Sequence, residues 1–82
     1  MMIPNPVNFA VQREFSTLPA LLSQLQSQHH WNACWLAKDR ILIQNDRTLC
    51  QLRPRKQGFQ LKFVQGAPEC FTQVAQQLQA VL

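Results

Sequence analysis

The sequence predicts an α+β fold, in which a four-stranded antiparallel meander carries an N-terminal and a C-terminal amphipathic helix on one face. Two stretches, one near each end, place apolar residues at helical spacing. Between them, residues 31–64 alternate apolar and polar side chains in short runs that turn residues separate. The length of 82 residues suits one core, so we expect residues 1–82 to form one domain with residues 1–5 as an irregular lead.

The first segment after this lead fits two structures. Asn5 followed by Pro6 is typical of a helix start. Val7, Phe9 and Val11 alternate as they would in a strand. Because valine and phenylalanine favour strands and the run is short, a strand is the preferred interpretation.

The first helix is predicted from its start and from a stripe of leucines. Ser16 or Thr17 is suited to cap it, and Pro19 fits the first turn, where the missing N–H of proline is not needed. The apolar stripe has four members: Leu18, Leu21, Leu22 and Leu25. This pattern fades over residues 28–30, where we expect the helix to end.

Two further strands are predicted before the central hairpin. Trp31 to Ala37 alternates with Trp31 and Trp35 on one face, and Ile41 and Ile43 share a face in the next strand. The tryptophans are predicted to be core residues. If their face is instead uncovered, Trp31 and Trp35 would form an exposed aromatic surface for a protein or a nucleic-acid base.

The best-specified local structure is a basic β-hairpin over Thr48 to Val64, with its tip at residues 54–58. Gly58 is suited to the positive φ that hairpin loops often need. Three apolar residues share one face of the second strand: Phe59, Leu61 and Phe63. Lys62 points to the opposite face.

The last helix is predicted to begin at Pro68, with Glu69 in its first turn. Its apolar stripe is the clearest of the chain: Phe71, Val74, Ala75, Leu78 and Val81. If both helices lie on one face of the sheet, the other face meets water or a partner.

The net charge of +4 is concentrated in the middle of the chain. Residues 38–62 contain seven Lys or Arg and two Asp, a net charge of +5, whereas residues 1–37 are neutral and residues 63–82 carry −1. Such a field steers an acidic protein or a nucleic acid. The candidate partner-binding residues are therefore cations of the hairpin and its base: Arg47, Arg53, Arg55, Lys56 and Lys62.

The cysteines indicate a reducing compartment. Cys34, Cys50 and Cys70 are odd in number and widely spaced, whereas small secreted domains carry paired cysteines. We expect free thiols and a cytoplasmic location. No apolar run approaches the ~18 residues of a membrane span, and no signal-peptide pattern is present, so direct membrane insertion is not expected.

No residue pattern points to catalysis, a metal or a cofactor. Asp39 and Asp46 fall in predicted turns rather than in a shared cleft, and a chain with two glycines holds no glycine-rich phosphate loop. His29 and His30 lie near Cys34, but the second ligand pair that zinc sites usually have is missing. We therefore expect a protein that is not an enzyme.

The resulting functional hypothesis is a small accessory subunit or adaptor that docks on a larger protein complex, with the basic hairpin facing an acidic partner. The alternative is a nucleic-acid-binding protein that uses the same hairpin for phosphate contacts. The sequence alone defines neither the partner nor the oligomeric state.

Overall fold

The computed structural model describes residues 4–11, 14, 17–29 and 31–82. Its elements follow in the order β1 (Val7–Phe9), α1 (Leu18–His29), β2 (Trp31–Ala37), β3 (Arg40–Asn45), β4 (Thr48–Arg55), β5 (Gly58–Gly66) and α2 (Pro68–Val81). The strands form one antiparallel five-stranded sheet in the order β1-β5-β4-β3-β2. The predicted α+β class, the antiparallel sheet and the two helices are confirmed.

The sheet has five strands where the sequence predicted four. The additional strand is β1, the N-terminal segment whose alternation favoured a strand over a helix. It pairs antiparallel with β5, so that Val7 lies opposite Leu61 and Phe9 lies opposite Phe59. Phe9 is only 1% exposed, and its burial anchors a strand of three residues that has few hydrogen bonds of its own.

The first helix agrees with the predicted leucine stripe. Leu18, Leu22 and Leu25 are buried, and α1 ends at His29, within the region where the pattern fades. The proposed cap at Ser16 lies outside the described residues. Thr17 lies in a single turn before α1, where its Oγ1 donates to the carbonyl oxygen of Glu14 over 2.7 Å.

Both helices contribute to one apolar cluster on a single face of the sheet. Its residues are Phe9, Leu18, Leu22, Leu25, Trp31, Ile41, Ile43, Cys50, Leu52, Phe59, Leu61, Phe71, Val74, Ala75 and Leu78. Side-chain hydrogen bonds link α2 to the sheet around this cluster. Trp31 Nε1 donates to Gln77 Oε1 over 2.9 Å, and Thr48 Oγ1 donates over 2.8 Å to the carbonyl of Ala67, the residue that caps α2. The predicted hydrophobic faces of the hairpin and of α2 therefore meet in the same core.

The turn at the hairpin tip depends on Gly58. Its φ is +112°, as the sequence predicted, and a Cβ built on it would lie 1.7 Å from the carbonyl oxygen of Phe9. The backbone of the hairpin and the backbone beside β1 can approach this closely only because residue 58 has no side chain. Gly58 thus couples the shape of the tip to the position of the edge strand.

Candidate docking surface on the open face of the sheet

The side chains that alternate with the core residues form the opposite face of the sheet, which we call the open face. None of them is buried. The cross-strand register places one row of them across four strands: Cys34, Leu42, Gln51 and Lys62. At the β1 edge, Gln60 lies opposite Asn8, and its Nε2 donates to Asn8 Oδ1 over 3.1 Å. The open face is mainly polar and includes half-buried apolar positions such as Leu42.

Five cations lie together at one end of the sheet, which we call the basic end: Lys38, Arg40, Arg53, Arg55 and Lys56. The turn between β2 and β3 and the turn between β4 and β5 lie at this same end, because consecutive strands of a meander alternate in direction. Asp39 is the only acidic residue of these two turns and the strand ends beside them, which leaves a net charge of +4. The basic end alone thus carries a net charge equal to the +4 of the whole chain.

The centre of the basic end is a pair of arginines on adjacent strands. Ile41 lies opposite Leu52 at the end of the β3–β4 pairing, and continuing this register by one position would place Arg40 opposite Arg53 on the open face. Directly opposed residues of an antiparallel pair have Cβ atoms about 4.5–5.5 Å apart, and like charges there are destabilising. An anionic group placed over this pair would relieve that repulsion.

Arg40 is not among the partner-binding residues predicted from the sequence. It lies thirteen positions from Arg53 in the chain, and only the β3–β4 register makes them neighbours. The alternation of β3 could have indicated Arg40, because it places the Arg40 side chain on the opposite face from Ile41 and Ile43.

The structure separates the predicted cations into two groups. Arg53, Arg55 and Lys56 belong to the basic end, and Lys62 lies farther along the open face, opposite Gln51. Arg47 lies in the turn between β3 and β4, at the other end of the sheet. The nine steps from Arg47 to Lys56 span about 30 Å at ~3.3 Å per residue, comparable with the 34 Å long axis of the chain. Arg47 therefore lies too far away to bind the same small group as Arg55.

An open groove lies beside the hairpin tip. Asn8 of β1 forms one wall, and residues of the hairpin form the rest: Pro54, Arg55, Lys56, Gln57 and Phe59. The fifth strand, which the predicted four-stranded sheet lacked, thereby contributes a polar side chain next to the cations. An acidic side chain in this groove could contact a guanidinium or ammonium group and the Asn8 amide together.

The two tryptophans differ in exposure. Trp31 is 3% exposed, which agrees with the prediction that it belongs to the core. Trp35 is 48% exposed, on the helix-covered side at the edge of the sheet, opposite Ile41. They therefore do not form a shared exposed aromatic surface. Among the described residues, the aromatic side chains all lie off the open face: Phe9, Trp31, Trp35, Phe59, Phe63 and Phe71.

The three cysteines differ in exposure. Cys34 is exposed, whereas Cys50 and Cys70 are buried, and all three are free thiols. Burial raises the pKa of the Cys50 thiol to about 12, which keeps it protonated and unreactive at neutral pH. Within the described residues, no three His, Cys, Asp or Glu side chains converge as metal ligands.

Neither α1 nor α2 combines the length and the apolar content required of a transmembrane helix. Comparisons of the chain with protein-family models, with curated protein sequences and with solved structures found no match.

Proposed function

We propose that this chain is a non-enzymatic accessory subunit or adaptor, which docks on a larger protein complex through the open face of its sheet. The basic end would lie against an acidic surface of that complex. The observation that carries the proposal is the group of five cations at the basic end, next to a face whose side chains are not buried. Like charges held this close destabilise one another, and an anionic surface would compensate them with charge-assisted hydrogen bonds.

The composition of the open face favours a protein partner. Leu42, Gln51 and Cys34 offer a surface of mixed polarity beside the cations, as protein interfaces do. Charged groups at the end of such a surface steer and orient the encounter more than they add affinity. We infer a reducing, cytoplasmic-type location from the three free thiols.

A nucleic acid is the second candidate partner. Five cations at one end of the sheet also suit a phosphate backbone. Sheet faces that bind single-stranded nucleic acid usually carry aromatic side chains on which bases stack, and the described open face has none. This observation ranks the nucleic acid below the protein partner.

The test is affinity capture of partners from native extract, with two matched variants. Arg55→Glu and Arg47→Glu make the same charge change at exposed positions at opposite ends of the sheet. We expect Arg55→Glu, alone or with Arg53→Glu, to lower capture of a defined protein complex about tenfold or more, equivalent to about 1.4 kcal/mol. Arg47→Glu should leave it nearly unchanged. Equal capture by all variants would contradict the role of the basic end.

The nucleic-acid alternative has its own measurement. Phosphate contacts make affinity fall steeply with salt, so duplex DNA and single-stranded RNA would be titrated at two salt concentrations. We expect weak binding, lost as salt rises and without sequence preference. Tight binding that persists near physiological salt, together with no captured protein, would favour the second candidate over the first.

A further inference from the structure

The strand at the edge opposite β1 and the helix beside it carry no formal charge. Among the described residues, β2 pairs with β3 alone and so forms the other edge of the sheet. Its seven residues, Trp31–Ala37, include no Lys, Arg, Asp or Glu. The same is true of α1 over Leu18–His29, the helix that packs next to β2. We call β2 and α1 together the neutral side.

β2 lacks most of the features by which edge strands usually avoid pairing with other chains. Such features are inward charges, lysines, prolines, very short length, a bulge, or a helix or loop that covers the edge. Here the irregularity lies between Trp35 and Ala37, so that Trp31–Trp35 keeps a regular register with β3. Cys34 is exposed, Trp35 is 48% exposed and Leu36 is 52% exposed.

We propose that β2 pairs antiparallel with β2 of a second copy of this chain, joining two five-stranded sheets edge to edge. A two-fold axis through Ala33 would set Trp31 opposite Trp35 of the other copy and Asn32 opposite Cys34. The pairing is isologous, so one uncharged surface serves both copies. This goes beyond the proposed adaptor function and uses the opposite side of the molecule.

The lack of charged residues on the neutral side favours a second copy of this chain over an acidic or basic partner. A chain with a net charge of +4 can self-associate without strong repulsion only where its cations are distant. Within the strands, the cation nearest this edge is Arg40 on β3, one strand from it. Three strand spacings of about 4.8 Å then separate the strand of Arg40 from its counterpart in the other copy, about 14 Å in total. This distance exceeds the Debye length of about 8 Å at physiological salt.

One side chain already contacts the backbone of β2. Gln26 Nε2 of α1 donates to the carbonyl oxygen of Ala33 over 3.2 Å. A carbonyl oxygen has two lone pairs, so this bond is compatible with a second donor from another strand. The pairing would keep both open faces on one side of a ten-stranded sheet and give the dimer two basic ends.

The first test is the solution mass and its concentration dependence, measured by sedimentation equilibrium on the full chain. We expect a dimer of about 19 kDa, twice the 9.5 kDa of the monomer. Cys34→Lys and, separately, Asn32→Lys place lysines of the two copies beside each other, and each should weaken dimerisation about tenfold or more. Both positions are exposed, so circular-dichroism melting should show unchanged folding.

Two matched variants make the result specific. Gln65→Lys adds the same charge at an exposed position on β5, and Cys34→Ser removes the thiol without adding charge, so both should remain dimeric. A short bis-maleimide should link Cys34 of the two copies, about 7–8 Å apart on the diagonal, in the wild type but not in Cys34→Ser. A 9.5 kDa species at all concentrations would overturn the proposal. So would larger aggregates, or a dimer equally stable in both lysine variants.

Discussion

Cys50 is a titratable residue whose pKa is shifted strongly by burial in the core. It lies on β4 between Ile43 and Phe63, its partners on the neighbouring strands, and is 0% exposed. Burial penalises the thiolate and raises the pKa of the thiol to about 12 from an ordinary value of 9.0. The thiol therefore acts as a small apolar side chain.

This shift predicts a loss of stability in alkali. The unfolded chain ionises Cys50 above pH 9 while the folded chain keeps it protonated, so the contribution is complete below pH 9 and is lost as pH rises toward about 12. The free energy of unfolding should fall by up to about 1.4 kcal/mol per pH unit in this window because of Cys50. Denaturant titrations at several pH values measure it.

Cys50→Val is the control, because it keeps a small apolar side chain and removes the ionisable group. The difference between the two pH profiles therefore isolates Cys50. Parallel profiles above pH 9 would mean that the thiolate is tolerated in the core.

Among the elements, β1 is the strand whose presence depends most on a single side chain. Its three residues are tied to β5 in register, with Phe9 buried on one face and Asn8 exposed on the other. Phe9 also lies next to Gly58, where the two backbones approach closely. The edge strand and the hairpin tip therefore form one unit.

Phe9→Ala should destabilise the chain by about 3–5 kcal/mol, the usual cost of truncating a buried phenylalanine. Asn8→Ala removes only the exposed hydrogen bond from Gln60 and should cost about 0.5–1.5 kcal/mol. Thermal or urea unfolding compares the two neighbours directly. Similar small losses in both variants would show that β1 does not pack against the core in solution.

Most helices and strands could be predicted from local sequence patterns. Which strands pair with each other could not. The alternation around Leu61 and the stripe around Val74 each repeat one period, so a strand and a helix could be predicted from sequence. The pairing of β1 with β5 and of Ile41 with Leu52 depends on contacts between distant segments. Irregular positions, such as that between Trp35 and Ala37, shift such registers and leave no local signal.

At the scale of the whole molecule, charge and apolar surface are distributed to different sides. The helices cover one face of the sheet, the basic end occupies one end of the other face, and the neutral side forms one edge. A chain of 82 residues has a small core, so its stability is expected to be modest. The sequence predicted the concentration of charge, but only the fold brings the β2–β3 and β4–β5 turns to the same end.

Binding of an anionic partner surface to the basic end of the open face can be tested by an NMR titration of the full chain with an acidic peptide such as a poly-glutamate segment. Every assigned backbone amide would be followed at low and moderate salt. We expect shift changes concentrated at Arg40, Arg53 and Arg55, with little change at Arg47 or along α2. Changes that spread evenly over both ends of the sheet, or that centre on the helices, would contradict it.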